Sequence, residues 1–560
     1  IWISSRSNLK VDSEGDYRMK NLMNPMAIRT YEMLRISNQL DHNFLSDRNC
    51  FVEVYRYMNP TESLKKTIYF FMPYGAIPVY TFPTVRLAMA LRDTGYPVKL
   101  IKCHQSLIST CSVHQILQQE TDLSQMKRTC SWCRSYQDDL FKVSKLDGYV
   151  LPDYEASVEL TNDFETLSNF VFQDYQVGKI ALYDFRSTLA YSKELSSNRD
   201  LELLKNMIGG LITLIKALDE MSSFVANGEH IFLNNWNYPV HSITLLWAMK
   251  HELDVINFNA TGMSLAHLNE HYFMSRLGSS QWLRQLSGVV ENKLDELKFS
   301  IKEISAYSLY NYRNQSGYSC YSYSTRSQPK IENLYAYFNI PDDGSKKIIT
   351  CFLSSLDEQK IAEDYKEIHG ISEPNKIVRD QKEWMDLVIE NIDEFENTVF
   401  LIRPHPREIT MDDENSKWLS SYYEKHPNFI IVEDSSLVSD DLLEISDVVL
   451  IYYSTVGISA LERGLPVISI CPEQTSVPTP EEYRNIKTKK SYIEAIKYAL
   501  SNENNDVDLQ EYKKLASCYG SMFHGRSVAF FDHNDFWQKN SGTRGIDPNE
   551  KERRKTNTTN

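Results

Sequence analysis

Short apolar runs recur along this chain, and stretches of helical spacing follow them. The first run is KTIYFFM, residues 66–72, followed by Pro73-Tyr74-Gly75. Val85–Arg92 has apolar residues at helical spacing, Gly95 closes it, and Pro97–Ile101 is apolar again. That order predicts a strand–helix–strand unit. After a mixed helical region, Asp200–Ala226 predicts a long helix, His230–Leu233 a strand, His241–His251 a helix and Asp254–Phe258 a strand. Residues 310–330, YNYRNQSGYSCYSYSTRSQPK, have no apolar period and suggest an interdomain linker.

A second alternation then begins. Lys347–Leu353, Thr398–Ile402, Phe429–Val432, Asp447–Tyr453 and Pro466–Ile470 read as strands. Gln381–Ile392, Leu437–Ile445, Val456–Arg463 and Tyr492–Ser501 read as helices. Strands that are apolar throughout, each followed by a helix, imply parallel sheets covered on both faces. The expected fold is α/β: two doubly wound, Rossmann-like domains facing each other across a cleft. The expected divisions are an N-terminal extension over 1–64 with a helix near Ala27–Leu40, a first domain over 65–330, a second over 331–537, and a disordered tail over 538–560.

Composition narrows the function. The chain has 560 residues, 42% hydrophobic and 24% charged, with a formal net charge of −15. Two domains plus appendages suit that length. The acidic balance argues against a nucleic-acid partner. No apolar run is long enough for a membrane span, and the first residues carry no signal-peptide pattern. The chain opens on Ile1 rather than Met, so a preceding piece is expected. Nine cysteines without a dense, even framework suggest a reducing compartment. The expectation is a cytoplasmic protein, with room for peripheral association at the inner membrane or in an assembly complex.

Candidate chemistry sits where strands end. FLIRPHPRE, residues 400–408, stops a buried strand on Arg403-Pro404-His405-Pro406-Arg407. The prolines stiffen the loop and deny it helix, and guanidinium and imidazole donors suit a phosphate. The bland alternative is a charged surface loop. In 447–470, Ser454-Thr455 precedes a short helix closed by Gly464. The N–H groups of Val456 and Gly457 would face an anion at its start. Gly457 would let a ligand approach, and Glu462 would reach a ribose diol. The alternative is an ordinary capped helix with Glu462 solvated.

RPHP followed by a strand, Ser-Thr and G-x-x-x-L-E-x-G-x-P-V resembles the nucleotide-binding domain of GT-B glycosyltransferases of bacterial capsule and surface-polysaccharide assembly. The nearest likeness is to capsular Kdo transferases and some sialyltransferases, which use CMP-sugars. CDP-glycerol phosphotransferases of teichoic acid synthesis carry related motifs. The likeness implies that His405 and Pro406, with Ser454 and Thr455, bind the donor's phosphate and nucleotide. It also implies that Glu462 lies near the ribose. Arg403, His405 and the helix at 456 would neutralise the leaving nucleotide without metal. The partners would then be a nucleotide-sugar donor and a polysaccharide or glycolipid acceptor. The alternatives are a UDP-N-acetylglucosamine 2-epimerase-like enzyme, disfavoured by Ser454-Thr455-Val456-Gly457 with its one Glu462, a CDP-glycerol-type phosphotransferase, and a non-catalytic nucleotide-sugar-fold scaffold.

The acceptor hydroxyl needs a general base from the first domain. Candidates there are His241, Glu270 and His271, with Asn234, Asn235 and His267 lining the acceptor side. Gly75 would allow close approach of acceptor or phosphate, or simply form a tight turn. Cys103, Cys111, Cys130 and Cys133, with His104 and His114 near them, suggest a structural zinc site. The alternative is a set of ordinary buried thiols. No cofactor is expected for the reaction itself.

Overall fold

A computed structural model of the chain describes most of residues 66–260 and 331–520, with 271–276 and 528–529. The N-terminal extension, the 310–330 stretch and the C-terminal tail lie outside the described residues, as do 234–237, 261–270 and 406–417. In chain order the helices and strands are β1 (Ile68–Met72), α1 (Pro78–Asp93), β2 (Val98–Lys102), α2 (Leu123–Ser144), β3 (Asp147–Val150), α3 (Phe164–Ser168), α4 (Val177–Leu189), α5 (Asn198–Met221), β4 (His230–Leu233), α6 (Pro239–Lys250), β5 (Asp254–Ala260) and β6 (His271–Arg276). They continue with α7 (Leu334–Tyr337), β7 (Lys347–Phe352), α8 (Gln381–Glu390), β8 (Thr398–Arg403), β9 (Phe429–Ile431), α9 (Ser439–Ile445), β10 (Val448–Ile451), α10 (Val456–Glu462), β11 (Val467–Ser469), α11 (Lys489–Ser501), α12 (Asp506–Gly520) and β12 (Val528–Ala529).

Two compact units result. One holds a seven-stranded sheet in the order β12-β6-β5-β4-β1-β2-β3, the other a five-stranded sheet in the order β11-β10-β7-β8-β9. Strands β1 to β5 are parallel and lie in the order 3-2-1-4-5. Numbered from its own first strand, the second sheet has the same 3-2-1-4-5 order and is parallel throughout. That order defines a doubly wound α/β unit, so both halves of the chain have the expected fold. One boundary is corrected. Val528–Ala529 pairs antiparallel with β6, so these two residues belong to the first sheet rather than to the second domain.

Periodicity located these elements because the central strands are covered on both faces. Every residue of β1, β8 and β10 is buried. Gly95 and Gly464 follow α1 and α10 with φ of +99° and +78°, which glycine adopts without Cβ strain. In the second unit, Trp384 of α8 and Tyr492 of α11 are fully buried, and the Trp384 indole N–H donates to the Tyr492 hydroxyl at 2.9 Å. Asp380 caps α8 by accepting the Glu383 N–H at 2.8 Å. Lys489 Nζ on α11 lies 2.6 Å from Glu383. These contacts fix the start of α8 against α11.

The end of β8 follows from hydrogen-bond accounting. Phe400 N–H donates to Asn428 O, and Val432 N–H to Ile402 O. In that register the next donor, to Val432 O, would be residue 404. Residue 404 is proline and has no N–H. The Arg403 guanidinium supplies the missing bond instead: Nη1 donates to Val432 O and Asp434 O at 2.9 Å each, and Nη2 to Leu437 O at 2.7 Å. Arg403 is 3% exposed, and burial brings its guanidinium down to about 10 despite nearby Asp434 and Asp441.

Two stability changes are expected. Tyr492→Phe leaves the Trp384 N–H without its acceptor and should destabilise the second unit by about 1–3 kcal/mol. Arg403→Met strips two buried carbonyls and one half-buried carbonyl of their donor and should cost on the order of 3 kcal/mol. Both are read as shifts of the denaturant unfolding midpoint against the parent chain. An unmoved midpoint contradicts the corresponding assignment.

Candidate functional site

In a 3-2-1-4-5 sheet, the chains leaving strands 1 and 4 turn to opposite faces, opening a crevice at the carboxyl edge. In the second unit that point lies between β7 and β10. Lys347 and Leu353 donate their N–H groups to β8, so the alternate residues 348, 350, 352 and 354 face β10. The ladder stops at the pair Phe352 and Ile451. Beyond it, Ser354 N–H donates to Gln381 Oε1 and Ser354 O accepts from Gln381 Nε2, both at 2.7 Å. Tyr453 N–H donates to Ser354 Oγ at 3.1 Å. One glutamine side chain thus replaces a strand, and the two strand ends part at Ser354. These three residues carry no motif. The only sequence signal was that Ser354-Ser355 directly follows the apolar run.

The motif residues flank this point. His405 is two residues past β8 and half-buried. Ser454 and Thr455 come after β10, Ser454 half-buried and Thr455 exposed. Neighbouring strands lie about 4.8 Å apart, so the ends of β8 and β10, on either side of β7, are about 10 Å apart. The sheet therefore brings His405, Ser354, Ser454 and Thr455 to one edge. Pro406 and Arg407 lie outside the described residues.

Three expectations change here. Arg403 bonds backbone carbonyls and organises the 432–437 turn rather than offering its charge to an anion. The first turn of α10 is closed locally: Gly457 N–H donates to Ser454 O at 3.3 Å, and Val456 N–H to Ser454 Oγ at 3.4 Å. Gly457 serves packing rather than ligand approach, since a Cβ there would meet Val477, Ile451 and Val467 side chains at 2.9–3.2 Å. Glu462 is the last residue of α10, about 9 Å along the helix axis from Val456, and half-buried.

In the first unit, His241 lies in the first turn of α6, 1% exposed, edge-on to the Phe71 and Tyr74 rings. Both ring nitrogens lack hydrogen-bond partners, and burial pushes the imidazole down to about 3. It is neutral and shielded at neutral pH, so it does not fill the role of general base expected of it. Gly75 is buried, and a Cβ there would meet the Gln137 side chain at 2.1 Å. The space in front of Gly75 is Gln137's, whose amide donates to Met72 O at 2.9 Å. Asn234, Asn235, His267 and Glu270 lie outside the described residues, and of His271 only the backbone, in β6, is described.

Cys103, Cys111, Cys130 and Cys133 do converge, lining one pocket with His114. Among the described residues, however, no group of three or more His, Cys, Asp or Glu is placed to hold a metal ion. Cys103 Sγ accepts the Leu107 N–H at 3.3 Å, and Cys130 Sγ lies 3.2 Å from His114 Nε2. Burial pushes both thiols up, Cys130 to about 12.

Among the described residues, no helix is long and apolar enough to cross a membrane. No family profile matches the sequence, and no curated protein does. Solved structures overlap it shallowly. KpsC of Thermosulfurimonas dismutans, a beta Kdo 2,4 transferase, has a TM-score of 0.32 and 10% identity, covering 52% of this chain and 78% of its own. The Methanocaldococcus jannaschii UDP-GlcNAc 2-epimerase in complex with UDP-GlcNAc and UDP has a TM-score of 0.27 and 15% identity, covering 78% and 94%. The spinosyn forosaminyltransferase SpnP has a TM-score of 0.25 and 12% identity, covering 85% and 99%. At such scores the fold assignment stands on the strand order of the two sheets.

Proposed function

We propose that this chain is a glycosyltransferase that moves a sugar from a nucleotide-activated donor, a CMP-sugar foremost, to a growing surface polysaccharide or glycolipid. The observation that carries the reading is the placement of His405 and of Ser454-Thr455 after β8 and β10, on either side of the β7 end in a doubly wound sheet. Such crevices are where doubly wound sheets bind nucleotides. The preference for cytidine comes from the likeness of RPHP and Ser-Thr to the CMP-sugar families.

In the reaction, an acceptor hydroxyl attacks the anomeric carbon, its proton passes to a general base, for which Glu270 and His271 remain the candidates, and the bond from that carbon to the phosphate oxygen breaks. The nucleotide leaves with the electron pair. His405 and the hydroxyls of Ser454 and Thr455 would hydrogen-bond the phosphate as that charge develops. Arg403 contributes indirectly, by fixing the chain from which His405 projects. The scheme draws on no resident cofactor. The reading implies a cytoplasmic enzyme working peripherally at the inner membrane or in an assembly complex.

A thermal-shift panel of CMP, CDP, UDP, GDP and ADP tests the donor. A ligand that binds only the folded chain stabilises it by about 2.7 kcal/mol at 100 times its Kd. A selective shift with CMP or CDP is the expected result. A selective UDP or GDP shift would discard the cytidylyl donors, and no shift with any nucleotide would remove the reading. His405→Ala should lower transfer roughly 100-fold or more, as loss of a donor to a developing oxyanion does. Its unfolding midpoint should stay close to that of the parent chain. Unfolding of the variant with unchanged specific activity in the folded fraction would show that His405 is structural.

A further inference from the structure

We propose that Gln381 is a positioning residue for the nucleotide, holding the carboxyl ends of β7 and β10 apart through Ser354; this rests on the donor-site reading above. The geometry is specific to this point of the sheet. Ser354 is the β7-side residue whose N–H and C=O would carry the parallel ladder one step further toward β10. Gln381 takes both groups at 2.7 Å, a two-point match that a side-chain amide provides without a change of charge, because it presents one donor and one acceptor side by side. The bond that β10 then makes is to the Ser354 side chain, from Tyr453 N–H at 3.1 Å. Tyr453 immediately precedes Ser454-Thr455, so the chain Gln381–Ser354–Tyr453 sets where those two hydroxyls begin.

Gln381 is fully buried, so it cannot touch a nucleotide and reaches the crevice through Ser354. It is itself held from behind. It is the first residue of α8, next to the cap Asp380, and the same turn is tied to α11 through Glu383 and Lys489. A residue that merely filled the core would not need an amide there. Met has a similar length and would pack in the same space.

The test uses the full chain and three variants: Gln381→Met, Ser354→Ala and Ser354→Thr. The Kd is measured by titrating whichever of CMP or UDP shifts the parent chain. Ser354→Ala removes only the acceptor for Tyr453 N–H and should weaken binding about tenfold with little change in melting temperature. Ser354→Thr keeps the hydroxyl and should restore binding to within about threefold of the parent. Gln381→Met should weaken binding at least as much as Ser354→Ala. If Gln381→Met fails to fold, the two Ser354 variants decide. Parent-like Kd values in folded Ser354→Ala and Gln381→Met would overturn the inference while leaving the donor-site reading intact. Absence of nucleotide binding by the parent chain would overturn the donor-site reading and this inference together.

Discussion

When a parallel sheet stops, the main-chain groups of its last residues still need partners, and buried ones left without them cost free energy. In this protein that accounting shapes the first strand of each sheet. At the carboxyl end of β1, Gln137 donates to Met72 O. Just past β7, Gln381 both donates to and accepts from Ser354. At the entry to each strand an acid does the complementary work. Glu229 accepts the Thr67 N–H and Asp447 accepts the Ile348 N–H, and each acid sits immediately before the fourth strand of its own sheet. The two units share strand order and the same way of finishing the strand at the switch point.

The same constraint explains the structural part of RPHP. Pro404 ends the ladder toward β9 by lacking a donor, and Arg403 turns its side chain onto the carbonyl that Pro404 leaves behind. A buried guanidinium is costly unless it is hydrogen-bonded, and here three carbonyls accept from it. What the motif can give to a ligand therefore begins at His405. Charge near a strand end is not by itself an anion site; the backbone has the first claim on it.

Glycine tells a related story. Gly75 and Gly457 stand where close approach of a ligand was the natural expectation. In both cases a neighbouring side chain occupies the space that a Cβ would need: Gln137 at Gly75, and Val477, Ile451 and Val467 at Gly457. The absence of a side chain serves internal packing as readily as it serves binding. His241 shows the opposite mismatch. A residue type with catalytic chemistry lies against Phe71 and Tyr74, where burial keeps it neutral.

The sequence by itself determined the α/β alternation, most central strands to within a residue or two, and the positions of His405 and Ser454-Thr455 at strand ends. It could do so because strands buried on both faces must be apolar throughout and their connecting helices must show a 3.6-residue period. It left β3 unseen, because three of its four residues, Asp147, Gly148 and Val150, are exposed and the strand lacks an apolar run. It left β12 unseen because a two-residue strand has no period, and only its pairing with β6 makes it one. The roles of Arg403, Gln381 and Ser354 were decided by tertiary structure alone. Each depends on which backbone group lacks a partner, and that is settled by strand register between segments about 30 residues apart or more, information no local pattern contains.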